Sequence, residues 1–364
     1  MKAFLKKYAL GIVSGVVSLG IMLYFGVSSH GLPELVRILV GARGRWVLAA
    51  CGCIVAFWIF EALVLHIFTL RLVPKYRFSC SLYNMMIGQL YNALTPFATG
   101  GQVVQVVAME RTGLRLGAST AVLAMRTMVY HVVLAVYAVV SVAVGIAYLT
   151  ALSGIIWGLI VVGLLSNVVV ASAMALIQRK PRIIAAVVGW GIRLLARIRI
   201  VRQPEKRIAA LNRQIVLFHE STAAFARSRR ATLCAYALGF LQMTFFFAIP
   251  YCIYRSFWYT GANPGLMVAI QSIVSLVSAF VPLPGAAGGA EGSFALMFSN
   301  FFANGDVVPA ILLWRMVTYY ACIVVGALVA VVAPRLLFRA QAAKALAQAE
   351  RPALEASAGR ETGE

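Results

Sequence analysis

Two arginines of this chain stand inside long apolar stretches of sequence, and a tyrosine follows each of them four residues later. They are Arg126 with Tyr130 and Arg315 with Tyr319. A guanidinium group presents a planar fork of donors that matches the oxygens of a phosphate or a carboxylate. Charged side chains within a membrane segment usually face a bundle interior or a polar path. The chemistry that these residues predict is therefore the binding of an anionic group inside a membrane.

Two carboxylates, Glu61 and Glu291, stand in the same kind of apolar sequence and balance the two arginines. One interpretation is that the four residues form two structural ion pairs. The other is that the arginines hold an anionic lipid headgroup. Glu61 and Glu291 would then neutralise the arginines in the empty site or bind a cationic part of the headgroup. Tyr130 and Tyr319 lie one helical turn from the arginines and belong to the same candidate site.

A break rich in proline and glycine precedes each arginine, with a glycine pair about 26 residues upstream. Proline cannot donate a backbone hydrogen bond and glycine allows a sharp turn, so each break ends a helix. The first break contains Pro96, Gly100 and Gly101, and the second contains Pro282, Pro284, Gly285, Gly288 and Gly289. The free amides that begin the next helix suit a phosphate.

Three polar residues beside the first break, Asn92, Thr95 and Gln102, would add neutral hydrogen-bonding groups to this site. The alternative is that the glycines permit close helix packing while the polar side chains satisfy the unwound backbone. We favour a binding role because the same unusual element occurs twice in one chain.

The composition predicts a membrane protein. Hydrophobic residues make up 62% of the 364 positions and charged residues 12%, which is more apolar surface than one water-soluble core can bury. Crossing a bilayer takes roughly 20 helical residues. Six segments are long enough: 9–27, 46–68, 117–148, 154–177, 231–256 and 309–332.

Two further apolar segments, 82–94 and 265–281, stop at the breaks and predict re-entrant hairpins, because irregular backbone at membrane depth needs protein or water around it. The fold class is therefore an all-α polytopic membrane protein with about six transmembrane helices and two re-entrant helical hairpins. Each hairpin lies between two spans, which gives repeats over 46–148 and 231–332, arranged as an inverted repeat. We predict one membrane domain over 1–335, with a basic helical insert at 178–230 and a partly disordered tail at 336–364.

The formal charge of +21 predicts contact with an anionic membrane surface, because the basic residues lie between the spans. This distribution argues against nucleic-acid binding. The same distribution predicts a multi-pass protein with both termini in the cytoplasm, and it predicts an interfacial helix at Arg182–Ile200. One loop, 28–45, disagrees because it should lie outside yet carries Arg37, Arg43 and Arg45.

Neither the histidines nor the cysteines indicate a metal or cofactor. His66 and His131 have no partner at metal-binding spacing, and the six cysteines contain no CxxC motif. We predict no cofactor, no metal site and no catalytic residue of a known type.

The motifs of the two breaks resemble the transmembrane region of the lysylphosphatidylglycerol synthases. The resemblance rests on Asn92, Thr95-Pro96-Phe97, Gly100-Gly101-Gln102, Pro282, Pro284-Gly285, Gly288-Gly289-Ala290-Glu291, and Arg315 with Tyr319. In full-length members the membrane region is held to flip an aminoacylated phospholipid, whereas a separate soluble domain transfers lysine from charged tRNA to phosphatidylglycerol. No such domain follows residue 335 in this sequence, so the resemblance implies lipid translocation.

The function predicted from the sequence is a flippase-like translocase for an anionic or aminoacylated phospholipid such as lysylphosphatidylglycerol. Two alternatives stay open at this point. One is a membrane-embedded transferase of the phosphatidylglycerol lysyltransferase type, for which only Glu61, Glu291 and His131 are candidate acid–base groups. The other is an accessory subunit that gathers a lipid-modifying synthase through the basic insert.

Overall fold

The computed structural model describes residue 20 and residues 37–149, 154–179, 190, 204–279, 281, 283–303 and 305–337. All regular elements among these residues are helical. They are α1 (Gly44–Leu72), α2 (Phe78–Leu94), α3 (Gly100–Arg111), α4 (Leu116–Leu149), α5 (Gly154–Arg179), α6 (Pro204–Ala226), α7 (Arg229–Ser256), α8 (Pro264–Ser278), α9 (Gly289–Phe298) and α10 (Val307–Leu337). Short 3-10 turns occupy Pro96–Ala98, Pro284–Ala286 and Ser299–Phe301, and a π-helical turn interrupts α10 at Met316–Tyr320.

Four of these helices are long and apolar enough to cross a membrane: α1, α4, α7 and α10. They confirm the spans predicted at 46–68, 117–148, 231–256 and 309–332. The segment predicted at 154–177 is helical as α5, and its described apolar part is the shorter stretch Ile160–Ala173. The span predicted at 9–27 lies outside the described residues, apart from Gly20.

The long helices bury only part of their apolar surface inside the protein. In α1, α4 and α7, 33% of the most apolar window is buried, and in α10 the share is 22%. Valine and leucine side chains such as Val55, Val139 and Leu328 point outward. A water-soluble protein rarely exposes apolar surface on this scale, so these faces are suited to lipid tails.

The first hairpin consists of α2, the turn at Pro96–Ala98, and α3. Its two helices run antiparallel, because Asn92 near the end of α2 accepts from the Gly101 amide at the start of α3 at 3.1 Å, whereas Asn84 in the first half of α2 donates to Thr112, just after α3, at 3.1 Å. At the open end the hydroxyls of Tyr76 and Thr112 lie 2.6 Å apart, and the Asn84 amide donates to both. The chain therefore enters and returns on one side, as predicted for a re-entrant hairpin.

The second hairpin consists of α8, the break at 281–288, and α9. Its open end is also closed by a tyrosine, since the Tyr259 hydroxyl donates to Asp306 Oδ2 at 2.7 Å and accepts from the Ala303 amide at 3.0 Å. Asn263 caps α8 by accepting from the amides of Gly265 and Leu266. Tyr259 precedes α8 and Asp306 follows α9, so this hairpin also returns to the side from which it starts.

The two hairpins open on opposite faces of the protein. Helices α1 and α7 pack antiparallel, because the Arg43 amide at the start of α1 donates to the Ser256 carbonyl at the end of α7. Phe60 in α1 stacks on Phe245 in α7, with ring centroids 5.5 Å apart. The first hairpin follows the end of α1 and the second follows the end of α7. Their mouths therefore face opposite ways, which is the inverted arrangement expected from the sequence.

Each hairpin also packs on a span of the other repeat. In α8, Ser272 donates to Ser141 of α4 at 2.7 Å, with both side chains buried. In α10, a Cβ at Gly326 would lie 2.9 Å from Leu90 Cβ of α2, so glycine permits the close approach of these helices. These reciprocal contacts join the two repeats into one bundle.

The second part of the predicted basic insert is helical, as α6. The sequence indicated a solvated helix, but one face of α6 is packed: Phe225 is fully buried against Phe68, and Gln214 accepts from the Gly117 amide at 2.9 Å. The predicted interfacial helix Arg182–Ile200 lies outside the described residues apart from Trp190. The tail from residue 338 also lies outside them.

Arg43, one of the three arginines that disagreed with the charge pattern, lies against a tryptophan, as does Arg255 near the end of α7. The guanidinium of Arg43 lies 3.5 Å from the ring centroid of Trp258, and that of Arg255 lies 4.9 Å from that of Trp46. Such stacking offsets part of the cost of holding a cation at a membrane boundary.

Candidate functional site

The two breaks meet in the interior of the bundle. The turn Pro96–Ala98 packs against the turn Pro284–Ala286. The hydroxyl of Tyr319 in α10 donates to the Ala93 carbonyl in the last turn of α2, at 3.2 Å. Hairpins that open on opposite faces therefore touch at their tips, and the sequence-predicted break residues come together there.

Arg315 holds the second break. Its Nε donates to Glu291 Oε1 at 2.8 Å, and its Nη1 donates to the Gly285 carbonyl at 3.0 Å. Its Nη2 lies 3.5 Å from the Ala286 carbonyl. The ring centroids of Trp314 and Tyr319 lie 5.1 and 5.4 Å from the guanidinium carbon. The side chain is 6% exposed. Arg315 thus satisfies carbonyls that the 3-10 turn leaves without helical partners.

Glu291 completes this arrangement through its other oxygen. Its Oε2 accepts from the Gly288 amide at 2.7 Å, which caps the N-terminus of α9. One carboxylate therefore binds both the arginine and a backbone amide of the break. The structural ion pair that the sequence offered as one interpretation is present at this position.

Gly285 fits the break because of its conformation and its neighbour. Its φ is +62°, in the left-handed region that favours glycine. A Cβ at this position would lie 2.1 Å from Tyr319 Cε2, which is inside van der Waals contact. Gly289 is also constrained, since a Cβ there would lie 2.0 Å from Val281 Cγ2. Pro284 is buried in the same turn, whereas Pro282 lies outside the described residues.

The first ion pair has a different construction. Arg126 in α4 pairs with Glu61 in α1, and Gln89 in α2 donates to Glu61 Oε2 at 2.5 Å. Three helices therefore converge on one carboxylate, which is completely buried. No bond from the Arg126 guanidinium to a backbone carbonyl is present among the described residues. The Arg126 side chain is 15% exposed, compared with 6% for Arg315.

Side chains next to Arg126 connect it to the first hairpin. Gln102 Nε2 of α3 donates to Thr127 Oγ1 of α4 at 3.3 Å. The turn that precedes α3 is open, since Phe97 is 58% exposed. Thr127 is the neighbour of Arg126 in α4, and we call Arg126, Thr127 and Gln102 together the Arg126 site.

Asn92 and Thr95 cap the helix after the first break. Thr95 Oγ1 accepts from the Gly100 amide at 2.9 Å, and Asn92 Oδ1 accepts from the Gly101 amide at 3.1 Å. A Cβ at Gly100 or Gly101 would collide with these same side chains. The first two amides of α3 are therefore already bonded to side chains. This agrees with the alternative interpretation of the sequence, in which the polar residues satisfy the unwound backbone. A phosphate would reach them only by displacing these caps.

Tyr130 does not repeat the contact made by Tyr319. It is 37% exposed, and its ring lies edge-on to His131 with centroids 5.2 Å apart. In the described part of the chain its hydroxyl makes no hydrogen bond. His131 itself bonds to Asn167 of α5 at 2.6 Å, and His66 bonds to Ser81 at 3.0 Å, so both histidines act in helix packing.

Sequence reasoning missed Gln89 and Thr127. Gln89 lies three residues before Asn92 on a short apolar helix, and this i, i+3 spacing places two amides on the same face. Gln89 could therefore have been predicted from the sequence as a site residue. Thr127 has no comparable sequence signal, because an isolated threonine beside an arginine is common in helices.

A groove of about 540 Å³ opens between α4, α6 and α7. Its lining includes Met125, Met128, Thr222, Arg229, Leu233 and Tyr236. Flexible apolar side chains dominate it, with one cation at the end where α7 begins. Met125 and Met128 lie on the same turn of α4 as Arg126.

This architecture defines a polytopic membrane protein in which two inverted re-entrant hairpins meet beside buried ion pairs. The family model for the lysylphosphatidylglycerol synthase transmembrane region matches residues 11–326 of the sequence. The chain therefore belongs to that family. It is also similar to a UPF0104 membrane protein of Archaeoglobus fulgidus, with 26% identity over 300 residues, covering 79% of this chain and 86% of the relative. The family resemblance expected from the break motifs is confirmed.

Proposed function

We propose that the protein translocates an anionic or aminoacylated phospholipid, such as lysylphosphatidylglycerol, across the bacterial cytoplasmic membrane. The observation that carries this proposal is the contact of two oppositely opening hairpins at their breaks, beside a partly exposed arginine. A barrier at the meeting point of two inverted elements is the arrangement that alternating access needs.

The Arg126 site supplies the recognition of the headgroup. Among the described residues, Arg126 makes no hydrogen bond to a backbone carbonyl, and its side chain is more exposed than that of Arg315. It can therefore exchange its carboxylate partner for a phosphate. Gln102 and Thr127 offer hydrogen bonds to the phosphate or glycerol oxygens. Acyl chains would remain in lipid or enter the apolar groove lined by Met125 and Met128.

Arg315 has a supporting role in this mechanism. Its bonds to Glu291 and to two carbonyls fix the shape of the second break. Direct contact of Arg315, Glu291 or Tyr319 with a headgroup stays a prediction from the sequence. Movement would occur when the two repeats rock about the contact between the breaks, opening one hairpin mouth at a time.

The distribution of basic residues between the two faces of the protein supports one orientation in the membrane. The mouth of the first hairpin is surrounded by exposed Arg71, Lys75, Arg77, Arg111 and Arg115. The loop that leads into the second hairpin, 257–264, has no lysine or arginine, and the cations beside it, Arg43 and Arg255, lie against tryptophans. We therefore place the first mouth in the cytoplasm.

The test is translocation of fluorescent phosphatidylglycerol and of lysylphosphatidylglycerol in proteoliposomes, with zwitterionic phosphatidylcholine as the comparison of zero net charge. We expect Arg126→Gln to lower the rate for the phosphatidylglycerol probe at least tenfold, which corresponds to about 1.4 kcal/mol. Arg115→Gln, an exposed arginine at the start of α4, should keep the wild-type rate. Arg126→Gln alone leaves the buried Glu61 carboxylate without its cation. The double variant Glu61→Gln/Arg126→Gln removes that charge as well, and it should fold but not translocate.

Wild-type rates in Arg126→Gln would contradict the role of this site. Equal rates for phosphatidylglycerol and phosphatidylcholine in the wild-type protein would contradict recognition of the headgroup.

A further inference from the structure

We propose that Glu61 takes up one proton when an anionic headgroup binds Arg126, so that lipid movement is coupled to proton movement. This inference deepens the proposed function and rests on it. The starting point is the isolation of the carboxylate: Glu61 is completely buried, with Arg126 as its ionic partner and Gln89 as its hydrogen-bond donor.

The helices packed around α1 bring few ionisable groups to this depth. From α4 come Arg126 and, one turn later, Tyr130. The nearby histidines are bonded elsewhere, His131 of α4 to Asn167 and His66 of α1 to Ser81. From α10 comes the π-helical turn with Tyr319 and Tyr320, and α2 carries Tyr91 two residues after Gln89. Tyrosine hydroxyls are neutral at physiological pH. They do not replace the charge of an arginine.

In the described part of the chain, the remaining neighbours add no charge beside Glu61. Helix α7 lies along α1 and has no charged residue between Arg230 and Arg255. Helix α6 meets α1 at Phe68, two turns away from Glu61. Arg126 is therefore the only cation that these elements place next to the carboxylate.

A headgroup phosphate competes with Glu61 for the same guanidinium. When Arg126 turns to the phosphate, an ionised Glu61 would remain buried without a counter-charge, which costs several kcal/mol. Uptake of one proton from the open mouth removes this cost. The exchange is balanced: the glutamate–arginine pair, one phosphate anion and one proton become a neutral glutamic acid and an arginine–phosphate pair. The net charge of the site is zero before and after.

Gln89 fits both states of the carboxyl group. Its amide nitrogen donates to the ionised form, as observed. Its amide oxygen can accept from the protonated form after the amide rotates, since a glutamine side chain offers both donors and an acceptor. A lysine or arginine at this position would hold Glu61 ionised in both states.

The second ion pair has no such freedom. Both oxygens of Glu291 are bonded, one to Arg315 and one to the Gly288 amide, and Arg315 also holds two backbone carbonyls. Departure of Arg315 would leave the break itself without partners. The coupling is therefore assigned to the first pair.

The test is proton uptake by the full-length protein in detergent, at pH 7 in weak buffer with an indicator dye, when short-chain phosphatidylglycerol is added. Binding is followed in parallel by native mass spectrometry. We expect about one proton per bound lipid for the wild-type protein. Glu61→Gln should bind the lipid with no proton uptake. Glu110→Gln, an exposed carboxylate on α3, should behave as wild type.

Two results would overturn the proposal and are distinguishable. Binding without proton uptake by the wild-type protein removes the coupling but leaves translocation intact, whereas absence of phosphatidylglycerol binding removes both. If Glu61→Gln fails to fold, Glu61→Asp keeps the carboxylate and should retain the uptake. Loss of uptake in a folded, lipid-binding Glu61→Asp would also count against Glu61 as the acceptor of the proton.

Discussion

Tyr319 donates a hydrogen bond to the Ala93 carbonyl, which lies 226 positions earlier in the chain and in the other repeat. This carbonyl stands in the last turn of α2, where the break leaves it without a helical donor. The Tyr319 hydroxyl therefore ties the tip of the first hairpin to α10, and the ring of the same tyrosine packs against Gly285 in the second break. The corresponding tyrosine of the first repeat, Tyr130, is exposed and makes no such contact among the described residues.

Tyr319→Phe should destabilise the contact between the hairpins. It removes a buried hydrogen bond and leaves the Ala93 carbonyl unsatisfied, which costs about 1–3 kcal/mol. We expect a measurable fall in Tm by fluorescence-detected size-exclusion after heating. Tyr130→Phe is the matched control and should leave Tm unchanged. An equal fall in both variants would show that the Tyr319 hydroxyl has no special role.

Gly285→Ala should destabilise the second break for two reasons that add. The backbone at φ +62° disfavours a side chain, and the new Cβ would meet the ring of Tyr319. We expect a loss of about 1–3 kcal/mol in unfolding free energy. Gly292→Ala, one turn into α9, has open space around its Cβ and should be neutral or slightly stabilising in the same thermal assay. Wild-type stability of Gly285→Ala would contradict the constrained turn.

The sequence predicted the hairpins well because proline and glycine act locally. Pro96 follows the end of α2 by two residues, Pro284 follows the end of α8 by six, and each begins a 3-10 turn. The capping role of Glu291 was also local, since it follows Gly288 by three residues. Local chemistry of this kind can be read without knowing how the helices pack.

The identity of each arginine's partner could not be read in the same way. Glu61 meets Arg126 only because α1, α2 and α4 pack side by side, and no local pattern specifies that packing. The solvated character expected for α6 was wrong on one face for a related reason. Phe218 and Phe225 recur at a spacing of seven residues, a helical period that predicts a buried stripe, but the basic residues around them obscured it.

The Arg126–Glu61 pair should show strong coupling in a double-mutant cycle. Removing one partner of a buried pair leaves an uncompensated charge and costs about 3–5 kcal/mol, whereas removing both is much less destabilising. We therefore expect Glu61→Gln and Arg126→Gln each to lower Tm more than the double variant does. Glu110→Gln should have no effect, because that carboxylate is exposed. Additive losses in the double variant would exclude a direct pair.

Arg315→Lys should fail to replace Arg315 even though the charge is kept. The guanidinium bonds Glu291 and the Gly285 carbonyl through different nitrogens in fixed directions, and an ammonium group cannot reach both in that geometry. We expect a clear loss of Tm and of translocation. Lys75→Arg, an exposed exchange of the same two residue types, should be neutral in both measurements. Full activity of Arg315→Lys would mean that only the charge matters at this position.

Alkaline pH should loosen the mouth of the first hairpin through Tyr76, which lies between α1 and α2. Burial raises the pKa of Tyr76 from 10.0 to about 12, partly opposed by its hydrogen bonds with Thr112 and Asn84. A raised pKa means that the folded state favours the protonated hydroxyl, so this stabilisation is complete below pH 10 and is lost as the pH rises through about 12. Tyr76→Phe lacks the hydroxyl and should be less stable than wild type at pH 8. The difference in Tm between the two proteins should then shrink between pH 10 and 12, and a constant difference over this range would show that the Tyr76 hydroxyl does not titrate with unfolding.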